Sequence, residues 1–208
     1  MSAYPLFLLL ALSPQNSFAN QSPILSRIYP VYSESSLPAA LASADTRSEA
    51  FEQVVRMYSP RLYTAIRHIV TWHDDADDVL QNTYLRAWRA LDSFRGDANV
   101  YTWLYRIAIN ESISFVTRTM KNSDLPSAEF NDEAKRIEAD PYFDGDELLW
   151  RLEAAILTLP ARQQLVFRLK YFEDRKYEEI SQLLGVTVGA LKASYHLAVK
   201  KIEQYFDE

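Results

Sequence analysis

The sequence contains no cysteine and only four glycines among its 208 residues. Without cysteine, the chain has no disulfide framework and no thiolate ligand for a metal ion. So few glycines, together with apolar residues that recur at three- and four-residue steps, favour a nearly all-helical protein. A hydrophobic fraction of 48% is enough to bury real cores, which excludes a chain that is disordered throughout.

The chain also lacks net positive charge. Its formal charge of -6 ordinarily argues against a nucleic-acid-binding protein. The excess acid is local, however, because residues 121–147 hold nine acids and three cations and so supply the whole net charge. Residues 45–120 carry nine arginines against ten acids, and residues 148–208 carry nine cations against eight acids. Two near-neutral parts therefore flank an acidic connector.

The first 44 residues differ from the rest of the chain. The apolar run YPLFLLLAL is too short to span a bilayer. A secretory signal requires positive charge before its apolar run, and this chain has none there. The stretch that follows is rich in Pro, Ser and Ala, which predicts a flexible extension. An export or anchor signal is one alternative. A misassigned start, with initiation at Val31, Leu37 or Leu41, is another.

Helical periodicity begins at Ser48 and predicts three helices up to residue 120. The apolar stripe of the first helix consists of Phe51, Val54, Val55, Tyr58, Leu62, Ile66 and Ile69. The second helix follows DDADD, whose acids suit the positive end of a helix dipole. Its stripe consists of Val79, Leu80, Thr83, Tyr84, Ala87, Trp88 and Leu91. The loop DSFRGDANV then leads into the third helix, YTWLYRIAINESISFVTR.

Beyond the acidic connector, the pattern predicts four more helices. ELLWRLEAAILTL ends before Pro160, and ARQQLVFRLKYF follows it. KYEEISQLLG closes on Gly185 as a C-terminal cap, and Thr187 is suited to cap the last helix. The inward residues of this last pair are predicted to be Ile180, Leu184, Val186, Leu191, Tyr195, Ala198 and Ile202.

The outward face of the last helix is small and sparsely charged. It consists of Gly189, Ala190, Lys192, Ala193, Ser194, His196, Leu197, Lys200 and Lys201. Small residues near the start of a helix allow it to sit deep in a DNA major groove, so the pair is interpreted as a helix-turn-helix. An ordinary antiparallel helix pair would show the same periodicity and is the alternative.

Two long motifs resemble one protein family. LPARQQLVFRLKYFEDRKYEEISQLLGVTVGALKASYHLAVKKI is similar to the fourth conserved region of extracytoplasmic-function (ECF) sigma factors of the sigma-70 family, and DDVLQNTYLRAWRALDSFRGDANVYTWLYRIAIN resembles their second region. The resemblance implies an all-α fold with two small helical domains. Region 2 is expected at 45–120 and region 4 at 146–208. A flexible acidic linker at 121–145 and a disordered extension at 1–44 complete the expected organisation.

The resemblance implies a docking face for core RNA polymerase on the second helix. In the family this helix binds the clamp helices of the β′ subunit, and the residues carried over are Asp78, Gln81, Asn82, Leu85, Arg86 and Arg89. A solvated helix face is the alternative for each of them. The β flap of the polymerase is a further expected partner. The acidic linker is expected to pass through the basic polymerase cleft, with a solubilising linker as the alternative.

The loop FRGDANV resembles the promoter-melting loop of the family, where a base of the −10 element is flipped into a protein pocket. Flipping a base costs unstacking energy, so stacking surfaces must lie nearby. The candidates are Phe94, Arg95, Gly96, Asp97, Ala98, Asn99, Tyr101, Arg106, Asn110 and Arg118. Asn99 is expected to read a base edge and Arg118 to contact a phosphate. Tyr101 and Trp103 lie about 200° apart on a helix, and Trp103 with Ile107 is expected in the core.

The last helix resembles the reader of the −35 element. The candidates are Thr187, Gly189, Lys192, Ala193, Ser194, His196, Leu197, Lys200 and Lys201. By resemblance, Lys192, Ala193 and His196 face bases, whereas Ser194, Lys200 and Lys201 face the DNA backbone. Many relatives carry arginines where this chain has Ser194, Leu197 and Val199. We therefore expect fewer neutralised phosphates and a shallower salt dependence of binding.

The resemblance implies a non-catalytic specificity subunit that binds core polymerase, reads both promoter elements and helps to open the duplex. Promoter DNA and an anti-sigma factor are the other expected partners, with no cofactor, metal or small-molecule substrate. The expected location is the cytoplasm, where an anti-sigma factor could hold the chain at the membrane. Two weak DNA contacts that are tethered by one chain gain affinity through effective concentration, which suits a sparsely charged reading helix.

Two other functions compete with this interpretation. A stand-alone helix-turn-helix regulator would bind a palindromic operator as a dimer, without polymerase. A metal enzyme would use His68, His73, Asp74 and Asp75. The two histidines lie about 140° apart on a helix, which is poor geometry for one ion, and no nucleophile constellation or phosphate-cradling loop accompanies them.

Overall fold

The computed structural model describes residues 32–94, 99–122 and 147–207. All regular elements in these ranges are helical, which confirms the predicted all-α class. The α-helices are α1 Leu37–Ala42, α2 Arg47–Arg67, α3 His73–Ala90, α4 Val100–Asn122, α5 Glu147–Leu157, α6 Ala161–Tyr171, α7 Tyr177–Leu184 and α8 Val188–Asp207. A 3-10 turn, Leu91–Ser93, follows α3. None of the described helices combines the length and the hydropathy needed to cross a membrane.

Backbone contacts divide the chain into two compact units. Unit 1 comprises the described residues up to Ile66 together with Ala76–Glu111, and unit 2 comprises Arg67–Asp75 together with the described residues from Ser112 onwards. The apolar run YPLFLLLAL and most of the acidic linker fall outside the described residues. The domain boundaries expected from the sequence therefore stay a prediction.

The core of unit 1 is formed by the stripes that periodicity predicts. The six stripe residues of α2, from Phe51 to Ile66, are buried, and so are Val79, Leu80, Thr83, Tyr84, Ala87 and Leu91 of the next stripe. Ile69, the last residue predicted for the first stripe, is also buried but belongs to unit 2. Phe51 packs edge-on against Tyr84 and Trp88, with ring centroids 6.2 and 5.1 Å apart. Tyr84 hydroxyl lies 2.8 Å from the Ser59 hydroxyl, and burial raises the pKa of Tyr84 well above its ordinary value. Periodicity thus located this core correctly.

Residues 32–44 differ from the disordered extension that their composition predicts. They include α1, in which Leu37 and Leu41 are buried one turn apart. The Gln53 side chain of α2 pairs with the backbone of Tyr32, accepting from its N–H at 2.8 Å and donating to its carbonyl at 2.6 Å. Two buried leucines and this amide pair order a segment whose Pro, Ser and Ala content suggests flexibility. Residues 1–31 lie outside the described part of the chain.

The core of unit 2 joins α5, α6 and α8. Its buried residues are Ala155, Ile156, Leu159, Phe167, Ala198 and Ile202. Beside them lies Arg168, only 2% exposed, whose guanidinium meets both carboxylate oxygens of Glu153 at 3.1 and 2.6 Å. Arg168 also donates to the carbonyl of His68 and the hydroxyl of Thr71 at 3.4 and 3.3 Å. Carboxylate, carbonyl and hydroxyl together satisfy a charge that burial would otherwise make costly.

Candidate nucleic-acid interface

The turn between α7 and α8 has the geometry that the sequence predicts for a helix-turn-helix. Gly185 ends α7 at φ 64° and ψ 33°, and its N–H donates to the Ser181 carbonyl at 3.0 Å. This left-handed conformation favours glycine because it carries no side-chain carbon. The Thr187 hydroxyl accepts from the Ala190 N–H at 3.3 Å and so caps α8. Both predicted caps are present.

The outward face of α8 is presented to solvent. Ile180, Leu191, Ala198 and Ile202 are buried, while Leu184, Val186 and Tyr195 are half-buried. The exposed members of the predicted −35 set are Thr187, Gly189, Lys192, Ala193, His196, Leu197, Lys200 and Lys201. Ser194 is half-buried. Small side chains at the first turns leave the backbone of α8 close to its surface, as deep groove insertion requires.

A chain of aromatic rings supports Lys192. Its Nζ lies 5.7 Å from the ring centroid of Tyr177, the first residue of α7. Tyr177 meets Tyr195 edge-on at 6.4 Å, and Tyr195 stacks on the buried Phe167 at 5.7 Å. Sequence reasoning did not single out Tyr177. The aromatic residue at the first position of the helix-turn-helix was the signal available for it.

The predicted melting loop is described only at its two ends. Residues 95–98, which include Arg95, Gly96, Asp97 and Ala98, lie outside the described residues. Phe94 is half-buried and packs on Trp103, with ring centroids 4.9 Å apart. Asn99 is exposed, and its side-chain oxygen accepts from the Thr102 N–H at 3.0 Å. Asn99 therefore caps α4 through its side-chain oxygen.

The faces of α4 correct one expectation. Trp103 and Ile107, expected in the core, are only half-buried, and Leu104, Ala108 and Ile109 are buried instead. The core face therefore lies about 100° further round the helix than expected, because one residue advances an α-helix by that angle. The polar candidates on this helix, Arg106, Asn110 and Arg118, are all exposed.

Tyr101 belongs to an aromatic cluster on the surface of unit 1. It is half-buried, with its ring centroid 5.4 Å from that of Tyr58 and 6.0 Å from that of Tyr105. The guanidinium of the exposed Arg61 lies 4.0 Å from the Tyr101 centroid. Aromatic rings beside an arginine form the type of surface on which unpaired bases stack. Arg61 lies outside the motifs used for the sequence prediction, and only the fold brings it to Tyr101.

The predicted polymerase-binding residues share one face of α3. Asp78, Asn82, Arg86 and Arg89 are exposed, and Gln81 and Leu85 are half-buried at its edge. Arg86 Nη1 lies 2.9 Å from Glu111 Oε1 on α4. Apart from Leu85, the face is polar, and it runs along about three turns of the helix.

The metal site considered at His68, His73, Asp74 and Asp75 gains no support from the geometry. In the described ranges, no group of three His, Asp or Glu side chains is arranged to hold a metal ion. His68 instead stacks on Phe172, with centroids 5.1 Å apart, and its Nδ1 lies 3.1 Å from Glu173 Oε1. His68 thus packs as a structural residue of unit 2.

Comparisons with known proteins agree with both motif assignments. The family models of Sigma-70 region 2 and of Sigma-70, region 4 match residues 54–122 and 149–202. The RNA polymerase sigma-H factor of Pseudomonas aeruginosa is 33% identical over 164 residues, covering 74% of this chain and 85% of that protein. The ECF RNA polymerase sigma-E factor of Salmonella typhimurium is 29% identical over 173 residues, with the same two coverages of 74% and 85%.

One solved structure with a similar chain is the sigma factor RpoE of Bartonella quintana in complex with the anti-sigma factor NepR. It is 21% identical, with a TM-score of 0.48, and the match covers 76% of this chain and 96% of that one.

Proposed function

Because the chain belongs to the sigma-70 family, as an ECF sigma factor, we propose that its exposed faces on α3, α4 and α8 contact polymerase, the −10 element and the −35 element. The protein is a non-catalytic specificity subunit of RNA polymerase that binds core enzyme and promoter DNA to start transcription. The dimeric operator-binding regulator is not favoured. The observation that carries the assignment of α8 to the −35 element is the exposed, small-residue surface of that helix.

Reading of the −35 element is assigned to the first turns of α8. Lys192 and His196 are one helical turn apart and both exposed, with Ala193 between them. Lysine donates to guanine in the major groove, and apolar groups contact the thymine methyl. Leu197 is suited to the second role because 49% of its surface is exposed. Lys200 and Lys201 follow on the next turn, where they would reach phosphates.

Recognition of the −10 element is assigned to the start of α4 and the loop before it. Tyr101 offers a ring for a flipped base, and the amide of Asn99 faces the same end of the helix. Arg106 and Asn110 extend the surface along the next turns, and Arg118 would contact a phosphate further on. Phe94 belongs to the same proposal, and Arg95, Gly96, Asp97 and Ala98, which lie outside the described residues, are proposed from the sequence alone.

Polymerase docking is assigned to the α3 face defined above by Asp78, Gln81, Asn82, Leu85, Arg86 and Arg89. A region 4 contact with the β flap and passage of the acidic linker through the polymerase cleft belong to the same proposal. An anti-sigma factor is a further proposed partner, as in the complex of the Bartonella relative. The proposed location is the cytoplasm.

The assignment is tested by separating DNA reading from polymerase binding. Lys192→Ala and His196→Ala are each expected to weaken promoter-dependent initiation about tenfold, the loss of one base contact. Core polymerase affinity should stay unchanged for both variants. Arg162→Ala, which removes an exposed cation of α6, is the matched control. Loss of core binding by the α8 variants would mean that the roles of the faces are wrongly assigned.

A further inference from the structure

Glu111 is an acid at a buried position of α4. It is the sole acidic residue in Val100–Asn122, and its side chain is only 7% exposed. It follows Leu104 and Ala108, both buried, at helical spacing. A carboxylate in such a place costs free energy unless a charged partner accompanies it. Helical periodicity does not indicate Glu111, because the pattern is read from apolar residues only. A single acid on the inward stripe of a helix was the signal that could have indicated a buried ion pair.

The partner of Glu111 is Arg86 on the polymerase-docking face of α3. Arg86 Nη1 lies 2.9 Å from Glu111 Oε1, while 63% of the Arg86 side chain is exposed. On α3 itself, positions 82, 83, 89 and 90, which neighbour Arg86 on the helix, contain no acid, and Arg89 carries a like charge. The direction of the Arg86 side chain is therefore fixed from α4.

We propose that Glu111 is a positioning residue for core polymerase binding, which holds the Arg86 guanidinium so that it meets a carboxylate on the polymerase. The inference rests on the proposed docking role of the α3 face. A guanidinium has five N–H donors in a rigid planar fork. When Glu111 occupies one edge of the fork, the donors that point away from α4 are left for a second carboxylate.

The two side chains differ in burial, and this difference assigns the positioning role to Glu111 and the polymerase contact to Arg86. The carboxylate is fixed within the helix pair, whereas the guanidinium reaches solvent. A long side chain that binds a partner loses conformational entropy, and that loss is smaller when the side chain is already oriented. Glu111 thus acts on polymerase affinity through Arg86 and without touching the polymerase.

The test is equilibrium binding of the full-length chain to core RNA polymerase, together with thermal unfolding of each variant. The variants are Arg86→Ala, Glu111→Gln, Glu111→Asp and the double variant Arg86→Ala/Glu111→Gln. Arg86→Ala is expected to raise the Kd for core about tenfold, as for an interface arginine. Glu111→Gln, which keeps the shape of the side chain, should raise it about threefold to fivefold. Arg47→Ala, at an ion pair elsewhere in unit 1, is the control and should leave the Kd unchanged.

The double variant distinguishes positioning from a merely structural role. If Glu111 acts through Arg86, the double variant binds core as weakly as Arg86→Ala alone. The double variant should nevertheless unfold at a higher temperature than Arg86→Ala, because it has no unpaired carboxylate at the buried position 111. Glu111→Asp, which retains the charge, should recover part of the affinity lost in Glu111→Gln. The proposal would be overturned if Glu111→Gln lowered the affinity for core by the same factor in the Arg86→Ala background as in the wild type. An Arg86→Ala variant that binds core as tightly as the wild type would also overturn the proposal, and that result would leave the sigma-factor function intact. If the wild-type chain itself did not bind core, the sigma-factor function would be contradicted.

Discussion

Unit 2 buries an arginine completely, whereas Arg47, Arg61 and Arg86 of unit 1 reach the surface beside an acid or an aromatic ring. The outward cations of α8 are lysines, and within the described ranges no carboxylate lies at ion-pair distance from Lys192, Lys200 or Lys201. Arginine presents a rigid planar fork of donors, whereas lysine is a compact charge on a flexible stem. An oriented Arg86 therefore suits the polymerase contact proposed for the α3 face, and the lysines of α8 suit the DNA contacts proposed for that helix.

The buried ion pair of unit 2 gives the largest expected effect. Arg168→Ala leaves the Glu153 carboxylate, whose side chain is only 14% exposed, without its partner, and we expect it to lower the free energy of unfolding by about 3 kcal/mol. Urea titration followed by circular dichroism measures this. Arg162→Ala, on the exposed side of the same helix, should change little. A small loss in Arg168→Ala would show that the pair does not support unit 2, and the contrast with the surface pairs of unit 1 would disappear.

The lysines of α8 are expected to determine the salt dependence of promoter binding. The double variant Lys200→Ala/Lys201→Ala, which removes the two lysines proposed to face phosphates, should lose affinity for a −35 duplex about tenfold. Its slope of log K against log salt should become shallower by about 0.9 for each lost phosphate contact. Binding is measured with the holoenzyme over a series of salt concentrations. An unchanged slope would indicate that these lysines do not face phosphates.

Asn99 allows capping to be separated from base recognition at the −10 side. Asn99→Ala removes the oxygen that accepts from Thr102 and should cost about 1 kcal/mol of stability. Asn99→Asp keeps that acceptor and loses the amide donors, so it should retain stability and yet change the base preference at the flipped position. Thermal unfolding and initiation from promoters with single-base changes measure the two effects. Unchanged base preference in Asn99→Asp would restrict Asn99 to capping.

The smallest expected effect is at the exposed ion pair of unit 1. Arg47 Nη1 lies 2.8 Å from Asp92 Oδ1, and 81% of the Asp92 side chain is exposed. Arg47→Ala should therefore cost only about 0.5 kcal/mol of stability, since water screens such pairs. The stability losses of Arg47→Ala and Arg168→Ala, measured under the same conditions, compare an exposed ion pair of unit 1 with the ion pair of the buried Arg168 in unit 2. A loss as large as that of Arg168→Ala would mean that exposure does not separate the two kinds of pair.

The success of the sequence prediction varied with the kind of signal. The stripe from Phe51 to Ile69 and the caps at Gly185 and Thr187 were predictable, because helical period and cap chemistry are local properties. The six-residue helix α1 was not, since two leucines in a stretch rich in Pro, Ser and Ala give too short a pattern. The burial of Glu111 and Arg168 was equally hidden, because each depends on a partner from another helix.

Within the candidate site, the exposed residues of α8 and of the α3 face follow from the same periodicity. Trp103 was misplaced because a helix with apolar residues on several sides leaves the choice of core face to packing. Tyr177 beside Lys192 and Arg61 over Tyr101 needed the fold, since sequence distance does not reveal which side chains meet. The predicted roles of these residues toward DNA and polymerase are what the variants above examine.

Run-off transcription is the most direct test of the central claim. Purified core RNA polymerase is supplied with genomic promoter fragments, with and without the full-length chain. We expect discrete new transcripts only when the chain is present, with initiation reduced in Lys192→Ala and retained in Arg162→Ala. No added initiation on any fragment would contradict the account, and tight binding of the chain alone to a palindromic duplex would favour the dimeric regulator instead.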